Sequence, residues 1–170
     1  MHMTSYHLME EFVAKHLDFK PSRVLEVGTI AGGEHNYSGI FQARGCELSE
    51  CYMTLDIREG AHYVVDGYDW DSVPKNAFDV VVSGQVFEHD KFFWKTLANI
   101  REVCKPNALV MIIVPSRGGV HRFPLDCYRF YEDASIPFAE LLGAEIVEVV
   151  WNEEVGWGDL GMVFRVKKEV

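Results

Sequence analysis

Three acidic residues stand where short apolar runs stop. Glu26 lies inside Val24-Leu25-Glu26-Val27, two residues before Gly28, while Asp56 closes the run at 50–56 and Asp66 the run at 62–66. Gly28, Gly32 and Gly33 follow the first run, and residues without a Cβ let the chain turn sharply and a ligand approach the backbone. An acid at the tip of a second strand, beside such a loop, is placed to accept hydrogen bonds from two ribose hydroxyls. Two imidazoles come later. His89 follows Glu88 just past the valine run at 78–84. His121 lies in the segment 116–130, which also carries Arg122, Phe123, Asp126, Tyr128, Arg129 and Phe130. A histidine near its ordinary pKa suits the work of a base toward a hydroxyl. Structural roles stay open beside these: His89 can brace the helix that follows it, Asp66 can cap a turn, and Asp126 and Arg129 can pair within one.

These residues need elements to hold them. Val24-Leu25 and Val27, bounded by Pro21 and Gly28, read as a buried parallel strand. Tyr37, Ile40, Phe41 and Ala43 then have helical spacing and stop at Gly45. Strand, glycine loop and helix in succession build the ligand crevice of doubly wound α/β folds. A helix is expected over 5–17, and further strands over 50–56, 62–66, 78–84, 108–115, 144–151 and 161–166. Phe93, Leu97, Ile100 and Cys104 form a helical core stripe, and Lys105-Pro106-Asn107 reads as the turn after it. A helix is expected over 135–142, with Pro137 in its first turn and Gly143 stopping it. Residues 152–159 read as a hairpin-like connection. Asp79, at the start of the fourth strand, is expected to be structural. Alternating strands and helical stripes predict one α/β domain over residues 1–170, a mostly parallel sheet with helices on both faces.

Composition narrows the function. A net charge of −10 argues against a generic polyanion partner, because nucleic-acid binding depends on Lys and Arg neutralising phosphates. No apolar run reaches the roughly 20 residues a membrane span needs. The first residues carry Glu10 and Glu11 and lack the apolar core of a secretory signal, so a cytoplasmic location is expected, with Cys46, Cys51, Cys104 and Cys127 all reduced. No cysteine pair has metal-ligand spacing, and no metal ligands are expected. The dinucleotide pattern G-x-G-x-x-G is absent, since Ile30 stands at its second glycine, and no Gly-Lys-Ser/Thr follows.

What remains, Glu26-x-Gly28-x-x-x-Gly32, resembles the first motif of the class I S-adenosylmethionine-dependent methyltransferases. Asp56 matches their second motif. Phe78-Asp79-Val80-Val81, Ser83 and Glu88-His89 resemble the "FDVVxSxxxxEH" segment of the group labelled type 11. His121, Pro124, Asp126, Arg129 and Phe130 resemble an "H-x-x-P-x-D-x-x-R-F" segment found in a subset of that group associated with sugars and polysaccharides. The resemblance implies a Rossmann-like three-layer sandwich of seven strands, order 3-2-1-4-5-7-6, strand seven antiparallel. It implies S-adenosylmethionine as donor and S-adenosylhomocysteine as product. Glu26 would meet the donor's amino acid end, over a loop of Gly28, Thr29 and Gly32. Asp56 would hold the ribose, with Ile57 and Arg58 beside the nucleoside. Asp66 and Gly67 would meet the adenine, with Tyr68, Trp70 or Val86 covering it, and Ser83, Gly84 and Gln85 would lie near the methionine portion. His89 and His121 are the candidate bases, and Arg122, Asp126, Tyr128 and Arg129 the candidate acceptor ligands. The expected activity is methyl transfer to a small-molecule or glycan hydroxyl. A donor-binding, regulatory or partner-dependent subunit without independent activity is the alternative. Ile30 and the Glu-His segment argue against an NAD-dependent or nucleotide-sugar enzyme.

Overall fold

A computed structural model of the protein describes residues 3–30, 36–152 and 156–167. In chain order the elements are α1 (Met3–His16), β1 (Val24–Val27), α2 (Ser38–Ala43), β2 (Tyr52–Asp56), β3 (Tyr63–Val64), β4 (Phe78–Gly84), α3 (Phe93–Val103), β5 (Cys104–Pro115), α4 (Ser135–Leu142), β6 (Ala144–Trp151) and β7 (Asp159–Val166). The strands form one sheet in the order β3-β2-β1-β4-β5-β7-β6. β1 pairs in parallel with β2 and β4, and β4 with β5, whereas β7 runs antiparallel to both β5 and β6. This is the expected Rossmann-like sheet.

The unbroken apolar runs of β4 and β5 have a simple cause: both sheet faces are covered. Side chains alternate across a strand. Val80, Val82, Leu109, Met111 and Ile113 pack with Leu8, Phe12, Ile40 and Phe41 of α1 and α2. Val81, Val110, Ile112 and Val114 pack with Leu97, Ile100, Phe138 and Leu142 of α3 and α4. Gly143 ends α4 at φ +59, a left-handed position that suits a residue without a Cβ.

Four sequence expectations change. β3 shrinks to two residues because the chain turns at once through Asp66–Asp69, where the Asp66 carbonyl accepts the Asp69 amide at 3.2 Å. The turn expected at Lys105-Pro106-Asn107 is instead an irregularity inside β5. Pairing jumps there from Phe78–Cys104 to Val80–Leu109, with Pro106 lacking an amide proton and Asn107 at φ +64. β7 starts at Asp159, ahead of the expected 161. Finally, the expectation of four reduced thiols is corrected, since Cys46 and Cys51 are joined as a disulfide and only Cys104 and Cys127 are free. The turn after α2 and the Cys51 amide bonded to the Glu47 carbonyl at 2.7 Å bring the two Cα atoms to 5.5 Å, within disulfide reach. Among the described residues no helix is long and apolar enough to cross a membrane.

Asp79 is structural, as expected. Its Oδ2 accepts the Ser22 amide, the Ser22 hydroxyl and the Arg23 amide, and its Oδ1 pairs with Lys105 at 2.7 Å. These bonds tie the chain entering β1 to the amino end of β4, opposite the crevice.

Candidate active site

The carboxyl ends of β1, β2 and β4 lie side by side, and most of the singled-out residues gather there. The Gly28 and Thr29 amides both turn onto the Leu55 carbonyl, at 2.7 and 3.3 Å, so the chain leaving β1 bends across the end of β2. Gly28 has φ +91, and a Cβ there would overlap a Val86 methyl. The backbone at this corner can therefore be closely approached only because residue 28 is glycine. Gly32 lies outside the described residues.

Asp56, at the tip of β2, is buried and salt-bridged to Arg58. Oδ1 accepts the Arg58 amide and Nε, each at 2.9 Å, and Oδ2 accepts Nη2 at 2.8 Å. A carboxylate offers about four acceptor sites, so one remains open after the three bonds to Arg58. Ile57 beside it is 64% exposed. Asp66 is exposed and Gly67 has φ +60 in the same turn. Trp70 is in the core and is thereby removed as a cover for the adenine, whereas Val86 stands on Gly28.

Glu26 is tied into the fold. Alternation along β1 turns it to the α2 face, where it is buried. Its Oε2 accepts the Tyr52 hydroxyl and, at 3.3 Å, the Tyr37 amide. Burial pushes its carboxyl up to about 7, against the lowering effect of those two donors. Glu26 thus fixes Tyr37, the residue just before α2, to β1. The Tyr37 hydroxyl continues the network to Ser5 at 2.6 Å and fills the space over Gly84, where an added Cβ would stand 2.9 Å from Cζ and overlap the hydroxyl. Ser83 bonds the Val27 carbonyl at 3.2 Å, and Gln85, at φ +59, bonds Asp159 at 2.9 Å. Tyr37, Tyr52 and Asp159 carried no signal of a role at the site in the sequence, because each reaches it from a different element.

The segment 116–130 folds over the turn that follows β4. The Cys127 and Tyr128 amides both bond the Glu88 carbonyl, at 2.7 and 3.3 Å. Arg129 grips Asp126 through two nitrogens, at 2.6 and 2.9 Å, and its Nη2 also bonds the Gly119 carbonyl at 2.8 Å. The Arg129 guanidinium holds the Asp126 carboxyl well below the usual carboxylate range. The structural pairing of Asp126 with Arg129 is therefore present, and it shapes the loop. Tyr128 is likewise anchored, its hydroxyl bonding the Lys91 carbonyl at 2.9 Å, while Arg122 is exposed. Gly118 has φ +107 and a Cβ there would overlap the Trp157 ring, on which His121 and Arg129 also pack. Arg58 stacks on Phe123 at 5.7 Å, so the loop touches the nucleoside side of the crevice as well.

Inside this cover, His89 and His121 meet edge to face with centroids 4.8 Å apart. His89 Nδ1 bonds the Leu125 carbonyl at 2.6 Å. Burial, with the His121 imidazole and Arg129 guanidinium adding to it, holds the His89 imidazole below its ordinary value, against the pull of that carbonyl. Beneath both rings lies Glu88, wholly buried, its carboxyl pushed up to about 7 by burial. Sequence reasoning gave Glu88 no role; its lack of solvent contact is a tertiary fact. The open groove between α1 and the sheet, lined by Leu8, Phe12, Met111, Glu148 and Val163, lies over the middle of β5 and β7 and takes no part in this cluster.

A family model described as a methyltransferase domain matches residues 2–140. None of the curated proteins is a significant match by sequence. Among solved structures, the fold is similar to the Burkholderia thailandensis 1,6-didemethyltoxoflavin-N1-methyltransferase, solved with 1,6-didemethyltoxoflavin and S-adenosylhomocysteine. That likeness has a TM-score of 0.69 at 16% identity, over 97% of this chain and 85% of that one. It is also similar to an S-adenosylmethionine-dependent methyltransferase from Aquifex aeolicus, TM-score 0.66 at 22% identity over 92% and 89% of the chains. A third likeness is to a complex of the Haloferax volcanii Trm112 methyltransferase activator with a candidate methyltransferase, TM-score 0.70 at 14% identity over 98% and 91%. The family match spans most of the sequence and the fold agrees with it: the chain belongs to the methyltransferase domain family, the class I S-adenosylmethionine-dependent methyltransferases.

Proposed function

We propose that this methyltransferase acts on a hydroxyl of a small molecule or sugar, bound between the ends of β1 and β4 and the segment 116–130. The observation that supports this most is the pair of imidazoles, His89 and His121, held face to edge over a buried carboxylate and under a polar and aromatic cover. The bound donor supplies an activated methyl on a sulfonium. The protein's share is then alignment and handling of the acceptor's proton. Gly28 and Thr29 lie beneath the donor, and Glu26, which also holds Tyr37, meets its amino acid end; Gly32 is proposed with them from the motif alone. Asp56 takes the ribose, flanked by Ile57 and Arg58, with Asp66 and Gly67 at the adenine and Ser83, Gly84 and Gln85 at the methionine end. Exposed Arg122 is the free cation for a carboxylate or phosphate on the acceptor, which Arg binds through two parallel hydrogen bonds. Asp126, Tyr128 and Arg129 set the shape of that wall. The toxoflavin enzyme, an N1-methyltransferase solved with a small molecule, favours a small acceptor and bears on its size, not on the choice of a hydroxyl.

The test is a labelled-methyl donor incubated with cell extract separated into small molecules, glycans, RNA and protein. Label is expected in the first two fractions and to be lost with Arg122→Ala while donor binding persists. Label confined to RNA or protein refutes the acceptor class. Donor binding with no transfer to any fraction favours a partner-dependent subunit, as the activator-bound relative illustrates.

A further inference from the structure

The Glu88 carboxylate has no solvent exposure, and among the described residues neither of its oxygens meets a hydrogen-bond donor. Its own backbone amide and the Arg129 guanidinium favour its charged form, but burial outweighs them, and a buried carboxylate short of hydrogen-bond partners is costly. What faces it is a pair of ring nitrogens: His89 Nε2 stands 3.5 Å and His121 Nε2 4.0 Å from the same Oε1. Ligand atoms from all three residues lie within 4.8 Å of one another. These separations are too long for hydrogen bonds and close to ligand spacing around a small ion, where bonds of about 2.1 Å at tetrahedral angles put neighbouring ligands about 3.4 Å apart. We infer that Glu88, His89 and His121 form a binding site for a divalent transition-metal ion that opens onto the acceptor crevice.

The surroundings suit ligands. His89 Nδ1 is on the Leu125 carbonyl at 2.6 Å, which places its proton there and turns the Nε2 lone pair inward. His121 Nδ1 stands 3.5 Å from Asp126 Oδ2 and 3.4 Å from Arg129 Nη2. Arg129 can only donate, so Nδ1 accepts its hydrogen bond here; an ion on Nε2 would move the ring proton to Nδ1, beside Asp126 Oδ2, which the His121 amide already bonds at 2.7 Å. The Glu88 backbone is clamped by the Cys127 and Tyr128 amides, so the loop 116–130 fixes both halves of the ligand set. Two imidazoles and one carboxylate select zinc, cobalt, iron or manganese over the all-oxygen sets that hold magnesium and calcium. Three protein ligands leave positions open, where an ion lowers the pKa of a hydroxyl. The imidazoles are then ligands and not bases. That chemical role rests on the proposed methyl transfer to a hydroxyl; the binding of the ion does not.

The experiment is titration of the intact chain with Co²⁺, followed by visible absorption and calorimetry, on wild type, Glu88→Gln, His121→Ala and, as a control, His7→Ala on α1. One ion per chain is expected, with binding weakened at least about tenfold in both site variants and unchanged in the control. Circular dichroism verifies folding, and half-buried His121 tolerates truncation where buried Glu88 does not. No saturable binding at millimolar Co²⁺, or equal binding by wild type and folded His121→Ala, overturns the inference. Binding of S-adenosylhomocysteine is measured in the same samples. Donor bound without the ion refutes the metal site alone, and the ion bound without donor refutes the transferase site alone.

Discussion

Replacing Glu26 by Gln should make the protein more stable at neutral pH and change nothing in mild acid. Glu26 is buried among Tyr37, Tyr52 and the α2 face, and its carboxyl is pushed up from 4.5 to about 7. The folded state therefore holds a proton that the unfolded chain has released. The stabilisation from that proton is complete below about 4.5, fades as pH rises, and is gone above about 7. At about 1.36 kcal/mol per pH unit, the difference amounts to about 3 kcal/mol. Gln is neutral throughout, and its one carbonyl oxygen can keep both bonds, since the Tyr52 hydroxyl and the Tyr37 amide meet the same Oε2. Urea unfolding of both proteins at intervals from about pH 4.5 to about 8.5 measures the effect, at constant m-value. The stability of Glu26→Gln minus that of wild type should rise by about 3 kcal/mol across that range. Groups with lowered values, such as Asp79 and Glu148, act equally in both proteins and cancel. A difference that stays flat from acid to base would show that Glu26 is ionised in the fold, and the burial argument would fail.

Asp56→Ala should weaken S-adenosylhomocysteine binding by about 1–3 kcal/mol in calorimetry, the scale of hydrogen bonds to a charged group, with little loss of stability. Unchanged affinity would remove Asp56 from the ribose. Gly84→Ala should destabilise the fold by about 2–4 kcal/mol in urea unfolding, because the new methyl displaces the Tyr37 ring and breaks its buried bond to Ser5. A loss below about 1 kcal/mol would mean that Tyr37 moves aside without cost.

Much of the sheet was legible from local signals. β4, α4 and β6 fall on the expected residues because each is bounded by a glycine, a proline or an abrupt change of period. The errors are also local in origin. The apolar letters of 62–66 suggested a strand, yet Gly67 at positive φ turns the chain after two paired residues. Lys105-Pro106-Asn107 has the composition of a turn, and β5 absorbs it as an irregularity because pairing with β4 and β7 continues on both sides.

By itself the sequence determined the family and the donor, through motifs whose residues are neighbours in the chain, and it marked the glycine corner after β1. It also named His89, His121 and Glu88, but as separate letters. Tertiary structure alone decided that Glu26 is bonded into a tyrosine network, that Cys46 and Cys51 join, and that Asp126 is committed to Arg129. It alone brought two imidazoles over an unpartnered carboxylate. The reason is physical: burial, and with it the cost of a charge and the need for a partner, is set by which elements pack together, and residues far apart in the chain meet only when the sheet and the loop over it have closed.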